Sequence, residues 1–130
     1  MPYLPLSNQE ESLGKIIVDA AYAVHKNLGP GLLESIYEPC YCHELSKRGA
    51  SFKRQVVVPL MHDGIEFPEG LRLDVLVGDL VICELKSVET IHPVHTAQLL
   101  TQLKLTGKRL GYLLNFNVPL IKDGIKRLIR

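Results

Sequence analysis

Three ionisable residues lie on two neighbouring hydrophobic segments in the middle of the chain. The stretch Leu71–Val88 (LRLDVLVGDLVICELKSV) contains Asp74 in its first segment, and Glu84 and Lys86 in its second. Segments this apolar are typical of buried strands, where an unpaired carboxylate is strongly destabilising. A divalent cation, together with an anionic substrate, would account for two acids and a lysine in such a place.

The two acids and the main chain between Glu84 and Lys86 would supply hard oxygen ligands. The carboxylates of Asp74 and Glu84 and the carbonyl of Leu85 suit Mg²⁺ or Mn²⁺, with water in the remaining positions. Such a metal can activate water and offset the charge that develops on a phosphodiester. Lys86 shares a strand face with Glu84, about 6–7 Å away, where it would hold the attacking water or neutralise the transition state.

The length of the turn between the two strands decides whether this site can form. With a two-residue turn at Gly78-Asp79, Asp74 would pair with Cys83 and face away from Glu84, because a shift of one residue turns every side chain to the other face. A three-residue loop over 78–80, or a bulge near Asp74, would bring both acids to one face. The strand register is therefore a direct test of the predicted site.

The rest of the sequence predicts a mixed α/β order that would hold these strands. Ser7 and Glu10 form a capping-box pattern before a helix whose apolar residues recur at helical spacing. Further helices are expected over 32–47 and 94–106. Strands are expected at 55–61, 65–67, 71–77, 80–86 and 109–115, with a break at 68–70 and a short strand or helix near 125–129. This order predicts a central mixed sheet flanked by helices, with residues 1–130 as one domain.

Composition favours a globular protein in a reducing compartment. Hydrophobic residues make up 46% and charged residues 22% of the chain. No apolar run approaches the roughly 20 residues that span a bilayer, and the N-terminal sequence lacks the pattern of a signal peptide. The three cysteines are odd in number and form no CxxC pair, so a cytoplasmic location is expected.

The net charge of +1 conceals an asymmetry along the chain. From Leu100 onward there are seven Lys and Arg residues and one Asp, whereas the preceding part has eight basic and thirteen acidic residues. A basic C-terminal third would steer a polyanion such as nucleic acid toward an acidic, metal-loaded site. A solvated basic surface explains the same charges equally well.

The order of Asp74, then Glu84-Leu85-Lys86, resembles the PD-(D/E)XK signature of the restriction-endonuclease-like phosphodiesterases. More narrowly, Gly31–Tyr37 (GLLESIY) resembles the motif that names the GxxExxY proteins, a small bacterial and archaeal branch of that superfamily. The similarity extends over nearly the whole chain, through LGPGLLESIYE, LRLDVLV, ICELKSVE, HTAQLLTQLKLTGKRLGYLLNFN and GIKRLI in that order. The proline of the superfamily's name is absent, because Leu73 precedes the first acid.

This resemblance implies a restriction-endonuclease-like α/β fold and a divalent-metal-dependent nuclease. DNA is the expected substrate, and the residues themselves do not distinguish DNA from RNA. It adds two residues to the catalytic set of Asp74, Glu84 and Lys86: Glu34, as an extra acid near the metal, and Gln98, as a glutamine beside the active site. Gln102 stands where relatives often carry a tyrosine. Tyr37 is expected to pack its helix on the sheet rather than to take part in chemistry.

Two other functions remain open from the sequence. One is a non-catalytic module that binds nucleic acid or a protein partner and retains the nuclease fold. The other is a structural protein in which Asp74 and Lys86 form a buried salt bridge. A domain of this size has little surface for wrapping nucleic acid, so a homodimer or a protein partner would extend the contact.

Overall fold

The elements follow the predicted α/β order with one difference among the strands. The computed structural model describes residues 4–130. Its elements are α1 (Asn8–Leu28), α2 (Glu34–Lys47), β1 (Phe52–His62), β2 (Ile65–Val77), β3 (Val81–Lys86), α3 (Pro93–Thr106), β4 (Leu110–Asn115) and β5 (Ile125–Ile129), with a 3₁₀ turn at Ile121–Gly124. Two strands predicted on either side of residues 68–70 are a single strand, β2.

The strands of the described chain form one mixed sheet in the order β1-β2-β3-β4-β5. β3 and β4 are parallel and are joined through α3, whereas the other neighbouring strands are antiparallel. Helices α1 and α2 cover one face of the sheet, and α3 covers the other. The predicted central mixed sheet flanked by helices is confirmed.

Helix α1 begins with the predicted capping box. The Ser7 hydroxyl accepts a hydrogen bond from the Glu10 N–H at 3.1 Å, and the Glu10 carboxylate accepts one from the Ser7 N–H at 2.8 Å. The apolar face of the helix is buried against the sheet, with Ile17 and Ala20 fully enclosed. Within residues 4–130, no helix combines the length and the apolar character needed to cross a bilayer.

The expected break at Pro68-Glu69-Gly70 is wrong, because β2 runs through it. The irregularity appears instead as a change of register between Val58 and Leu60 on β1. Pro68 lies in the unpaired step between the Val58–Leu71 and Leu60–Phe67 pairs, so it does not need to donate a hydrogen bond to the ladder. Glycine is required at position 70, since an added Cβ would lie 2.2 Å from the Leu60 Cβ.

The outer parts of β1 and β2 extend beyond the rest of the sheet. β3 pairs only with Val75, Leu76 and Val77 of β2. Residues 55–62 and 65–74 therefore pair only with each other and form a projecting two-stranded structure, here called the ribbon. Asp74 is the last residue of the ribbon before β3 joins the sheet.

Candidate active site

The loop between β2 and β3 brings Asp74 and Glu84 together. The observed pairs are Val77 with Val81, Leu76 with Ile82, and Val75 with Cys83. They leave a three-residue loop, 78–80, and the same register continued by one step puts Asp74 opposite Glu84. Gly78 and Asp79 both have φ of +58°, the left-handed conformation that such a tight loop uses. The three-residue loop that the predicted site requires between β2 and β3 is therefore present.

Each carboxylate is bonded to the backbone of the other strand. The Leu85 N–H donates to Asp74 Oδ2 at 3.0 Å, and the Asp74 N–H donates to Glu84 Oε1 at 3.3 Å. These two bonds replace the regular strand pairing at the point where β2 and β3 separate. This point, formed by Asp74 and by Glu84–Lys86, is called the fork below. Both acids are thereby held at one point of the sheet.

The β2 strand is irregular at Asp74. Leu73 packs in the core on the α3 side, whereas Val75 packs on the side of α1 and α2. On a regular strand, residues two apart would share one face. Opposite Asp74, Gln55 has φ of +51°, and the pairing of β1 with β2 skips both residues. Because the strand turns here, Asp74 faces a cleft beside α2 while remaining bonded to β3.

This cleft has a volume of about 270 Å³. Its lining is mainly polar and consists of Glu34, Ser35, Glu38, Arg54, Gln55, Asp74 and Leu85. Glu34, predicted as an extra acid, thus shares a cleft with Asp74, at the first turn of α2, where its side chain is exposed. Its role near a metal stays a prediction.

The cleft contains a further acid that the sequence did not indicate: Glu38, one turn after Glu34. Glu38 is buried, and its carboxylate accepts hydrogen bonds from Arg54 Nε at 2.9 Å and from Gln55 Nε2 at 2.8 Å. Its negative charge also raises the pKa of Asp74. The sequence contains one indication of its role: Glu38 follows Glu34 by four residues, which puts both acids on one face of α2.

Burial is the main cause that raises the pKa of both acids at the fork, and a neighbouring carboxylate adds to it in each case. Burial is the largest cause for Glu84, followed by the charge of Asp74, and together they raise its pKa to about 7. Burial also raises the pKa of Asp74, against the opposing effect of the hydrogen bond from the Leu85 N–H. Ionisation of both acids at once is therefore unfavourable, and a cation bound between them or a proton on one of them would relieve this cost.

Lys86 lies near both acids without forming an ion pair with either. Its charge lowers the pKa of Asp74 and of Glu84, although burial has the larger effect on each. Among residues 4–130, the salt bridges are formed by other side chains. The buried Asp74–Lys86 salt bridge of the structural alternative is therefore not formed. The ammonium group is left available to an anionic ligand.

Helix α3 contributes Gln102, rather than Gln98, to the contacts at the fork. Gln102 Nε2 donates to Glu84 Oε1 at 3.2 Å, while its Oε1 is buried without a partner in the described part of the chain. Gln98 lies one turn earlier on the exposed side of α3 and lines a groove that also includes Gln102. The catalytic role of Gln98 stays a prediction, and the contact with Glu84 is made by Gln102.

Tyr37 holds the loop that precedes Glu34. Its buried ring stacks on Phe116 with 4.7 Å between the ring centroids, which confirms that it packs α2 on the sheet. Its hydroxyl donates to the Gly29 carbonyl at 2.5 Å and accepts from the Leu32 N–H at 3.1 Å. These bonds fix the start of α2 and hence the position of Glu34.

Asn115 holds the segment that follows Lys86. Its buried side chain accepts a hydrogen bond from the Val88 N–H at 3.1 Å and donates one to the Val88 carbonyl at 2.9 Å. The Phe116 N–H also donates to the Lys86 carbonyl at 3.0 Å. Lys86 and the segment that follows it are therefore tied to the end of β4.

The donor set at the fork fits a hard cation that keeps part of its water shell. Carboxylates of Asp74 and Glu84 and the carbonyl of Leu85 are oxygen donors of the kind that Mg²⁺ and Mn²⁺ prefer. In the described residues, no group of three or more His, Cys, Asp or Glu side chains lies close enough together to hold a metal ion. Two carboxylates with water and substrate oxygens are a usual ligand set for Mg²⁺.

The fold and the fork together define a nuclease-like class of protein. Residues 11–128 match the sequence model of the PD-(D/E)XK nuclease superfamily. The chain belongs to this superfamily, and its fold is of the restriction-endonuclease-like kind. Nucleases of this superfamily generally use divalent metals and act on nucleic acids. Neither a curated protein nor a solved structure shows significant similarity to the chain.

Proposed function

We propose that this protein hydrolyses phosphodiester bonds of nucleic acid, with DNA as substrate and Mg²⁺ or Mn²⁺ as cofactor. The observation that carries the proposal is the pair of hydrogen bonds that hold Asp74 and Glu84 together at the fork, with Lys86 unpaired beside them. We further propose that the chain is a member of the GxxExxY branch and that residues 1–130 act as one cytoplasmic nuclease domain.

Each residue at the fork would have a distinct role in catalysis. Asp74, Glu84 and the Leu85 carbonyl would hold the metal, which when bound supplies Lewis acidity and lowers the pKa of water. The Lys86 ammonium would stabilise negative charge on the phosphate or orient the attacking water. Gln102 fixes the orientation of Glu84 through its amide.

Residues around the fork would support this arrangement. Glu34 would act as a further acid in the cleft beside Asp74, and its backbone is positioned by the bonds of Tyr37. Gln98 lines the groove next to Gln102, where it would contact the nucleic acid. Substrate would approach under the attraction of the basic C-terminal third, whose charge suits a phosphate backbone.

A second candidate is a non-catalytic module that binds nucleic acid or a protein partner. It is favoured by the contacts of the cleft acid Glu38, whose carboxylate forms a salt bridge with Arg54 and accepts a hydrogen bond from Gln55 rather than being left free for a metal. Such a module would retain the fold and the surface charge without turnover.

A cleavage assay separates the two candidates. End-labelled single-stranded, duplex and branched DNA, and matched RNA, would be incubated with Mn²⁺ or Mg²⁺ and, separately, with a chelator. A nuclease cleaves at least one substrate only with metal, and Lys86→Ala lowers the rate by at least about 100-fold because transition-state charge is left uncompensated. Lys15→Ala is the matched control, since this lysine is exposed on α1 and pairs only with Asp19.

The same reactions, analysed by gel mobility, test the alternative. Metal-independent binding by the wild type, with no cleavage of any substrate, would favour the binding module and contradict the nuclease. Cleavage that persists unchanged in Lys86→Ala would show that the activity arises elsewhere.

A further inference from the structure

Two successive residues of β1, Arg54 and Gln55, bond to one buried carboxylate. Arg54 Nε donates to Glu38 Oε2 at 2.9 Å, and Gln55 Nε2 donates to Glu38 Oε1 at 2.8 Å. On a regular strand, successive side chains point to opposite faces. Here the φ of Gln55 is +51°, and this departure from the extended conformation allows both side chains to reach Glu38. The backbone of β1 is therefore bent at the point where it meets α2.

The bend in β1 lies opposite Asp74. The pairing of β1 with β2 skips both Gln55 and Asp74, so the irregularities of the two strands form one feature. A positive φ is unfavourable for a residue with a side chain, and such positions cluster at sites that bind ligands. A salt bridge between Arg54 and Glu38 alone would join α2 to β1 without this bend. The strained backbone therefore indicates a role for these side chains in the cleft beside Asp74.

The guanidinium group of Arg54 is oriented by Glu38 but keeps donors for a ligand. Both contacts with Glu38 use the Nε and Nη2 atoms, each at 2.9 Å, which leaves the two N–H groups of Nη1 for another acceptor. The side chain of Arg54 is 45% exposed and lines the cleft, whereas that of Glu38 is 11% exposed. A buried acid thus fixes the guanidinium group in advance, which lowers the entropic cost of binding a ligand. The planar group presents its donors in the geometry that phosphate oxygens accept.

The position of Arg54 in the sheet complements that of Lys86. The strand order β1-β2-β3 places Arg54 and Lys86 on opposite sides of Asp74. Lys86 is available to the phosphate that reacts, so Arg54 would meet a neighbouring phosphate of the same nucleic acid strand. The charge of Arg54 is offset by Glu38, and the cleft also contains Glu34 and Asp74. Arg54 therefore does not attract a polyanion from a distance but provides directed hydrogen bonds at short range, next to a cation at the fork.

We propose that Arg54 binds a phosphate of the nucleic acid next to the phosphate at the fork, and that Glu38 and Gln55 are positioning residues for its guanidinium group. Contacts of this kind fix the register of a nucleic acid strand on a protein without reading its sequence. The proposal rests on the proposed function in one respect, since it requires nucleic acid as the ligand. It applies equally to the nuclease and to a non-catalytic module that binds nucleic acid.

Replacing both members of the pair tests the proposal without changing the net charge of the protein. Glu38→Gln/Arg54→Met removes the carboxylate and the guanidinium group together, so no buried charge is left unpaired. Fluorescence anisotropy of the full chain with labelled DNA, in the presence of a chelator to prevent cleavage, measures the dissociation constant. The double variant should raise this constant at least about tenfold, the usual effect of losing a hydrogen bond between charged groups.

Cleavage kinetics with Mn²⁺ give a second readout. A contact made equally in the bound substrate and the transition state affects KM alone, so the double variant should raise KM about tenfold and leave kcat within about threefold. Arg54→Lys keeps the charge and a partner for Glu38 but not the planar donors, so it should raise the dissociation constant and KM about threefold. This single variant decides the question if the double variant does not fold.

The other arginine–glutamate pair of α2 provides the matched control. Arg48 Nη1 donates to Glu44 Oε1 at 2.7 Å, and Glu44 is buried, as Glu38 is. This pair lies at the C-terminal end of α2, the opposite end from Glu34 and the cleft. Glu44→Gln/Arg48→Met should therefore leave the dissociation constant and KM within about twofold of the wild type. Circular dichroism verifies that both double variants are folded.

The outcomes separate this proposal from the proposed function. If Glu38→Gln/Arg54→Met binds and cleaves DNA as the wild type does, the contact with phosphate is refuted and the nuclease stands. Equal losses in the two double variants would show a general effect on the fold and refute the contact as well. A fall in kcat with unchanged KM would assign the pair to the support of the fork instead. A wild type that neither binds nor cleaves nucleic acid at about 100 μM would refute both proposals.

Discussion

Replacing Glu84 by glutamine should stabilise the metal-free protein at alkaline pH. The carboxyl of Glu84 has a pKa of about 7 in the folded chain, against an ordinary value of 4.5. Below pH 4.5 the group is protonated in both the folded and the unfolded states and has no effect on stability. As pH rises, the unfolded state ionises first, so the free energy of unfolding falls until the folded group ionises as well.

The size of the effect follows from this difference in pKa. Each unit is equivalent to about 1.4 kcal/mol, so the ionised Glu84 destabilises the metal-free fold by on the order of 3 kcal/mol above pH 7. Glutamine keeps the shape and the acceptor for the Asp74 N–H but has no charge. Relative to the wild type, Glu84→Gln should therefore gain on the order of 3 kcal/mol between pH 4.5 and pH 8.

Urea unfolding in the presence of a chelator, followed by circular dichroism at several pH values, measures this gain. With an m-value of about 1–3 kcal/mol/M, the difference in midpoint between variant and wild type should change by about 1–3 M across the range. Glu89→Gln is the control, because Glu89 is exposed on the loop after β3. If Glu84→Gln and Glu89→Gln followed the wild type equally at every pH, the raised pKa of Glu84 would be refuted.

Three further perturbations address the ligands and their supports. Mn²⁺ at 100 times its dissociation constant should stabilise the wild type by about 2.7 kcal/mol in thermal unfolding, and Asp74→Asn should abolish both this gain and the heat of Mn²⁺ binding in calorimetry. Tyr37→Phe removes two hydrogen bonds but keeps the ring on Phe116, so it should lower the free energy of unfolding by about 1–3 kcal/mol and speed hydrogen exchange in residues 29–33. Gln102→Met should lower kcat/KM about tenfold. Because the Gln102 amide lowers the pKa of Glu84, the same variant should also shift the rise of the pH–rate profile to higher pH. Gln98→Met should leave the pH–rate profile unchanged.

The grouping of the ionisable residues at the fork could be predicted from the sequence, but the residues that hold them in place could not. An acid on each of two apolar strands, with a lysine two residues after the second, indicated Asp74, Glu84 and Lys86. Which face Asp74 occupies depended on one residue of loop length, and hydrophobic pattern does not distinguish a two-residue from a three-residue turn. The observed loop brings Asp74 next to Glu84, and the irregularity of β2 at Asp74 turns its carboxylate toward the cleft beside α2, whereas Glu84 contacts Gln102 of α3.

The supporting residues depend on contacts that sequence spacing alone does not reveal. The family resemblance indicates Gln98, whereas in the structure it is Gln102, one turn later on α3, that contacts Glu84. Glu38 cannot be recognised from the sequence because its partners, Arg54 and Gln55, lie on β1, whose position relative to α2 the sequence does not specify. Likewise, the predicted break at 68–70 followed from local residue preferences, which the pairing with β1 overrides.

The three-residue loop at 78–80 also limits how this protein can change. Removing or adding a single residue there would rotate β3 by half a turn relative to β2, exchanging its buried and outward sides along its entire length. Related chains that keep both acids side by side should therefore conserve the apolar character of the buried residues between them and vary the number of those residues only in steps of two.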